Sequence, residues 1–197
     1  MVHGRLWIAG NQDQPGIPVC EACHGPASLH VEAGGGRGVY ILNPGKKPEV
    51  CFQCHTSIQA RLRLQYHHPV KEAVIFCTDC HNLHGENIYS VKEMPISRGN
   101  TVCMQCHREQ TRPRVFEHEA LRDGCTICHH AHGSINDKML IERDNNLCLK
   151  CHAQLGTPGT VTIGDFPHTT RLMEGTCWSV GCHTAVHGSN INSHLRY

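Results

Sequence analysis

The chain has 197 residues, of which 39% are hydrophobic and 5% aromatic, against 14 Cys and 18 His. Four Phe, four Tyr and two Trp cannot furnish the large buried side chains of a domain this size, so the composition excludes a self-sufficient apolar core and calls for another filling. Eighteen Lys and Arg against 17 Asp and Glu leave a formal net charge of +1, which excludes a basic nucleic-acid face and an acidic tail.

The opening stretch, Met1 to Gly10, lacks the apolar run of a signal peptide, and no window of 18 apolar residues occurs further on, so the sequence reads as a soluble chain. From Cys20 onward the cysteines organise everything. They fall into seven pairs, each followed at once by histidine: Cys20, Cys23, His24; Cys51, Cys54, His55; Cys77, Cys80, His81; Cys103, Cys106, His107; Cys125, Cys128, His129; Cys148, Cys151, His152; and Cys177, Cys182, His183. Six have the form C-x-x-C-H, and the seventh holds four residues between its cysteines. Zinc ribbons and disulfide frameworks also use paired cysteines, but neither needs a histidine after every pair. C-x-x-C-H is the attachment signature of c-type haem. Two sulfurs about one helical turn apart meet the two vinyl groups on one porphyrin edge, and the adjoining imidazole reaches the iron as proximal ligand.

Eleven histidines remain. His84, His132 and His187 each follow a motif closely and each precede glycine, which lets the backbone pass near a porphyrin face. His118 and His168 lie between motifs, as do His67 and His68, of which one is needed; His30 follows the first motif. With one of the His67/His68 pair, these give seven distal candidates for seven irons. His3, His130 and His194 are spares, and the alternative reading of any one candidate is a surface histidine. The methionines occupy no recurring position and read as packing residues.

An internal repeat follows: a motif, a loop histidine, a second motif, a His-Gly ligand. It spans 51–85, 103–133 and 148–188, after a single N-terminal haem unit at 20–30, within one domain covering 1–197. Turn-rich connectors lie at Gly34 to Gly38, Asn43-Pro44-Gly45, Pro95 with Gly99-Asn100, and Gly156 to Gly164. Short helices are predicted over Thr56 to Tyr66, around Cys103 to Glu109 and around Asn145 to Leu155. Val39 to Leu42 reads as an isolated strand or an apolar loop. The predicted fold is therefore mostly irregular coil with a few short α-helices wrapped around seven packed haems, with little or no sheet.

Haems packed at about 28 residues each must lie in close contact, which suits electron hopping. Two histidines per iron leave no open position for a substrate and favour low potentials, so the expectation is an electron carrier and no catalytic residue. Each ferric haem with two propionates adds about −1 and each ferrous haem about −2, moving the formal net to roughly −6 oxidised and −13 reduced.

The segment from Cys51 to His84-Gly85, with His67-His68-Pro69-Val70 and Cys77-Thr78-Asp79-Cys80-His81, resembles the periplasmic pentahaem electron donor of cytochrome c nitrite reductase. It also resembles the decahaem cytochromes of porin conduits and of dimethyl sulfoxide respiration. Cys182 to Asn190 is similar to the end of those decahaem proteins. The resemblance implies bis-histidine haems forming a wire in anaerobic or extracellular respiration. Its partners would be a quinol-linked donor and a terminal reductase or outer-membrane porin conduit. Seven haems and the C-x4-C-H site depart from that family. Two other readings are a subunit of an extracellular cytochrome filament or membrane-associated complex, and a multihaem nitrite- or hydroxylamine-type oxidoreductase. Haem attachment by this motif takes place outside the cytoplasm, so a periplasmic or extracellular location is expected.

Overall fold

The computed structural model describes residues 19–84, 101–152, 154–179 and 181–197. His3, Gly85 and the connector around Pro95 and Gly99-Asn100 lie outside them. The chain divides into two compact halves, Met1–Glu93 and Met94–Tyr197, so the division falls between the first two repeats read from the sequence.

In the N-terminal half, helices run over Val19–His24, Ser28–Glu32, Pro48–Phe52, Thr56–Arg61 and Cys77–Cys80. All are one or two turns long, and three of the five carry motif cysteines. Proline at the first position of Pro48–Phe52 starts that helix where a missing N–H does no harm. The helix expected to reach Tyr66 stops at Arg61. Its hydrogen bonds tighten from Leu62 N→Ile58 O to Arg63 N→Ala60 O and Leu64 N→Arg61 O, and the chain then turns extended before Pro69. Val39–Leu42 is a bend, since Tyr40 has a positive φ of 50° that no strand accommodates.

In the C-terminal half, residues 101–104 are helical, and helices span Arg108–Thr111 and Asn145–Leu149. The helix expected to reach Leu155 ends at Leu149 because a sheet begins at Gln154. Strands Gln154–Thr157, Thr160–Ile163 and Phe166–Pro167 form an antiparallel three-stranded sheet, with Thr157 opposite Thr160 and Ile163 opposite Phe166. The expectation of little or no sheet is corrected here. What the sequence suggested as a connector is a hairpin whose two-residue turn is Pro158-Gly159, with Gly159 at φ +90°. β-branched residues on its second strand, Thr160, Val161, Thr162 and Ile163, favour pairing.

Among the described residues, the buried apolar side chains are Leu62, Val70 and Ala185, and the buried polar ones Ser134 and Ser189. Large apolar side chains such as Val74, Ile135, Met173 and Tyr197 are exposed on the bare chain. Three buried apolar residues cannot offset the conformational entropy of a domain of this length, which costs on the order of 1–2 kcal/mol per residue. The described residues therefore need another filling to hold them together. Among the described residues, no helix is long and apolar enough to cross a membrane.

Candidate haem-attachment sites

Each C-x-x-C-H motif folds as a single tight turn. The amide of the histidine donates to the carbonyl of the first cysteine: His55 N→Cys51 O 2.9 Å, His81 N→Cys77 O 2.8 Å, His107 N→Cys103 O 2.9 Å, His129 N→Cys125 O 3.0 Å and His152 N→Cys148 O 3.0 Å. The first motif lies within the helix Val19–His24. The longer seventh motif closes the same way, His183 N→Cys177 O at 3.0 Å, despite its two extra residues. Asn145 steadies it: its Oδ1 accepts from Cys177 N at 2.8 Å and its Nδ2 donates to Gly175 O at 3.1 Å. None of the fourteen cysteines, all within the described residues, is in a disulfide.

The histidines are tied by one ring nitrogen. Among the proximal ones, His24 Nδ1 meets Leu42 O at 2.8 Å, His129 Nδ1 meets Lys138 O at 2.8 Å and His183 Nδ1 meets His194 O at 2.6 Å. Among the distal candidates, His30 Nδ1 meets Val39 O at 2.8 Å, His118 Nδ1 meets Val186 O at 3.0 Å and His168 Nδ1 meets Phe166 O at 2.8 Å. An Nδ1–H donated to a carbonyl fixes the tautomer with a lone pair on Nε2, the arrangement that metal-bound imidazoles use. His67 is different. Its Nδ1 meets Leu64 O at 2.6 Å and its Nε2 meets Glu72 Oε1 at 3.2 Å, so both of its ring nitrogens are engaged. The same contact holds the Glu72 carboxyl below its ordinary range.

Three histidine pairs face each other: His24 and His84 at 5.8 Å between ring centres, His118 and His152 at 6.1 Å, and His129 and His187 at 6.2 Å, with planes 16°, 18° and 22° apart. Two imidazoles sharing one metal put their centres about 6 Å apart, from two metal–nitrogen bonds of about 2 Å and roughly 1 Å from each nitrogen to its ring centre. Each pair joins a proximal histidine to a distal candidate. Burial holds the His187 imidazole below its ordinary pKa, with the charges of His129, His118 and Arg114 adding to it, which keeps it in the neutral form a metal takes. His168 lies near enough to Cys177 to influence its thiol, which sets it beside the seventh motif. His68 and His132 are half-buried. The N-terminal half contains three motif histidines with the distal candidates His30, His67, His68 and His84, and the C-terminal half four with His118, His132, His168 and His187.

The first cysteines of three pairs of motifs touch. Cys51 hydrogen-bonds with Cys77, Cys103 with Cys125 and Cys148 with Cys177. Cys23 lies close to Cys51 and Cys54, and Cys128 close to Cys151. Within each half, motifs adjacent in the chain are adjacent in space. The contacts split the thiols: Cys103 holds Cys125 down to about 6 and Cys148 holds Cys177 down to about 7, while burial and then Cys77 push Cys51 up to about 11. Once bound to a vinyl group, each sulfur becomes a thioether and titrates no longer.

The surroundings suit a porphyrin. Arg114 Nε is buried with no partner in the chain while its Nη2 donates to Glu109 O at 3.0 Å, leaving a charged donor of the kind a propionate accepts. Beside the second and third motifs is a cavity of about 270 Å3, with Phe52, Leu62, Val70 and Phe76 on its walls and Lys46 and Arg63 at its edge.

Residues 67–112 and 118–157 match the doubled CXXCH motif family. The chain is also 33% identical over 188 residues to the multihaem cytochrome MtrA of Shewanella baltica (strain OS185). It is a multihaem c-type cytochrome. The alignment takes in 93% of the cytochrome and 53% of MtrA, so the chain spans about half the length of the curated relative it matches. The family's segments begin at His67 and His118, one motif out of phase with the repeats read from the sequence.

Two residues of the sites were missed in the sequence. Ser134 and Ser189 are buried next to ligand-bearing segments, and the signal for them is a His-Gly-Ser tripeptide that occurs twice, at 132–134 and 187–189.

Proposed function

We infer that the cytochrome conducts electrons through seven covalently attached c haems, each iron held by two histidines. The proximal ligands are His24, His55, His81, His107, His129, His152 and His183, and the distal ones His30, His68, His84, His118, His132, His168 and His187. The observation that supports this reading is that, within each half, motif cysteines adjacent in the chain lie close together, an arrangement that would bring haem edges near one another. Iron closed on both faces has no position for a substrate, so the protein carries electrons and does not catalyse. The haems are carried in one N-terminal unit and three two-haem repeats of a single electron-conducting chain.

Export to a periplasm or beyond follows from where thioether attachment to this motif takes place. The partners are redox proteins, a quinol-linked donor on one side and a reductase or porin-borne conduit on the other, as in anaerobic or extracellular respiration. The test is the mass of the purified holoprotein together with its magnetic circular dichroism. Seven haem increments with every iron low-spin support the reading. A stoichiometric high-spin iron, or fewer haems, overturns it in favour of an oxidoreductase or a shorter carrier.

A further inference from the structure

His132-Gly133-Ser134 and His187-Gly188-Ser189 place two serines at 4% and 0% exposure. Their hydroxyls do the same work in two different loops. Ser134 Oγ donates to Leu140 O at 2.7 Å and accepts from Asn136 N at 3.0 Å. Ser189 Oγ donates to Arg196 O at 2.5 Å and accepts from Ile191 N at 3.2 Å and Asn192 N at 3.1 Å.

Two residues before each capped carbonyl stands the carbonyl that receives a proximal imidazole: Lys138 O for His129 and His194 O for His183. The residue between them is left-handed in both loops, Met139 at φ +56° and Leu195 at φ +54°. Its own carbonyl accepts an amide just past the proximal histidine, His130 N at 2.7 Å or Ala185 N at 2.8 Å. The loop sequences, Ile-Asn-Asp-Lys-Met-Leu against Asn-Ile-Asn-Ser-His-Leu-Arg, share with the serine an Ile-Asn pair whose Asn amide donates to the serine hydroxyl in both, and differ elsewhere. A side chain that bonds its own backbone a few residues on is a standard way for serine to fix a turn.

The geometry points to Ser134 and Ser189 as positioning residues that set the reduction potentials of the haems on His129 and His183, by fixing the carbonyl that polarises each proximal imidazole. This rests on the bis-histidine reading above. Donation from Nδ1–H pushes electron density toward Nε2, making the imidazole a stronger donor that favours ferric iron and lowers the potential. Removing the hydroxyl leaves Leu140 O or Arg196 O and the amides beyond the serine without their partner. The loop then relaxes, the Nδ1 contact weakens and the potential rises. The segment 187–189 thereby serves two irons, with His187 facing His129 and Ser189 locking the loop behind His183.

The experiment uses the full haem-loaded chain with Ser134→Ala, Ser189→Ala and the hydroxyl-retaining Ser134→Thr and Ser189→Thr. Haem content is checked by mass, and potentials are read by redox titration followed by magnetic circular dichroism. The haem of His129 is recognised as the one that His187→Met moves. Ser134→Ala should make that haem several-fold more reduced at a fixed potential, a tenfold change in ratio being about 59 mV. Ser189→Ala should move a different single haem, and the threonine variants should titrate as wild type. Should alanine prevent full loading, Asn136→Leu removes the second donor to Leu140 O, Nδ2 at 3.0 Å, and should move the haem of His129 alone. Superimposable titrations, equal shifts in alanine and threonine variants, or a uniform shift of all haems overturn the proposal while leaving a low-spin wild type intact. High-spin iron in the wild type overturns the bis-histidine reading, and this one with it.

Discussion

Gly188→Ala should open one iron. Gly188 stands between His187 and Ser189 at φ +112°, where an L side chain costs about 1–3 kcal/mol in backbone strain. A Cβ there would meet Arg114 Cγ at 2.7 Å, Arg114 Cβ at 2.9 Å and Phe116 O at 3.0 Å. Arg114 cannot swing aside at its own Cβ, and Phe116 is held to Ser189 by two 2.8 Å backbone bonds, so overpacking adds about 1–3 kcal/mol. The total is on the order of 2–6 kcal/mol, and the nearest relief is displacement of His187 from His129. A metal–nitrogen bond of about 2 Å does not survive a shift of half an ångström or more without weakening. The assay is electron paramagnetic resonance of the oxidised holoprotein, with denaturant unfolding alongside. The control is Gly159→Ala, at φ +90° with nothing within 4 Å of the added carbon, which has the strain without the collision. Gly188→Ala should show a high-spin signal from one haem and a larger loss of stability than the control. Variants that are equally stable and both fully low-spin would refute the reasoning.

Other outcomes follow from the same geometry. His68→Ala should produce high-spin iron and His67→Ala should not, because both His67 nitrogens are engaged; the visible spectrum of each ferric variant checks this. His84→Met and His187→Met should each raise the potential of one haem, since thioether ligation favours ferrous iron, and redox titrations identical to wild type would sink the ligand list. The near-parallel planes of the three resolved pairs, 16° to 22° apart, should give rhombic low-spin resonances for at least those haems, and a spectrum holding only highly anisotropic signals would contradict the pairing. Chain produced without haem attachment should show no cooperative thermal transition by circular dichroism, because its buried apolar side chains are too few to hold it.

The attachment residues were legible because covalent chemistry fixes them locally: two sulfurs and an imidazole must meet one porphyrin edge, and the spacing follows. The C-x4-C-H variant closes its backbone as the others do, through the bond from His183 N to Cys177 O. Ligand pairing was not legible. His84 follows His81 closely, yet it faces His24, and His187 follows His183 but faces His129, because the second ligand is brought in by tertiary packing. The sheet at 154–167 was overlooked because its hairpin is rich in the residues that also mark loops; the Pro-Gly pair flanked by threonines was the available cue. The contact of His67 with Glu72, five residues further on, was likewise not legible, because no spacing rule supplies it.

The facing histidines also set which pieces of this molecule can be exchanged. His118 with His152 and His129 with His187 interleave along the chain, so any cut between 118 and 187 separates at least one facing pair and, on the bis-histidine proposal, one iron from a ligand. His24 with His84 locks the N-terminal half in the same manner. Inheritance can lengthen or shorten such a conductor by swapping whole blocks, whereas crossing over inside a block strands an iron. Cytochromes of different haem number built from this motif should therefore differ by intact ligand-closed segments, with recombination points confined to the connectors between them.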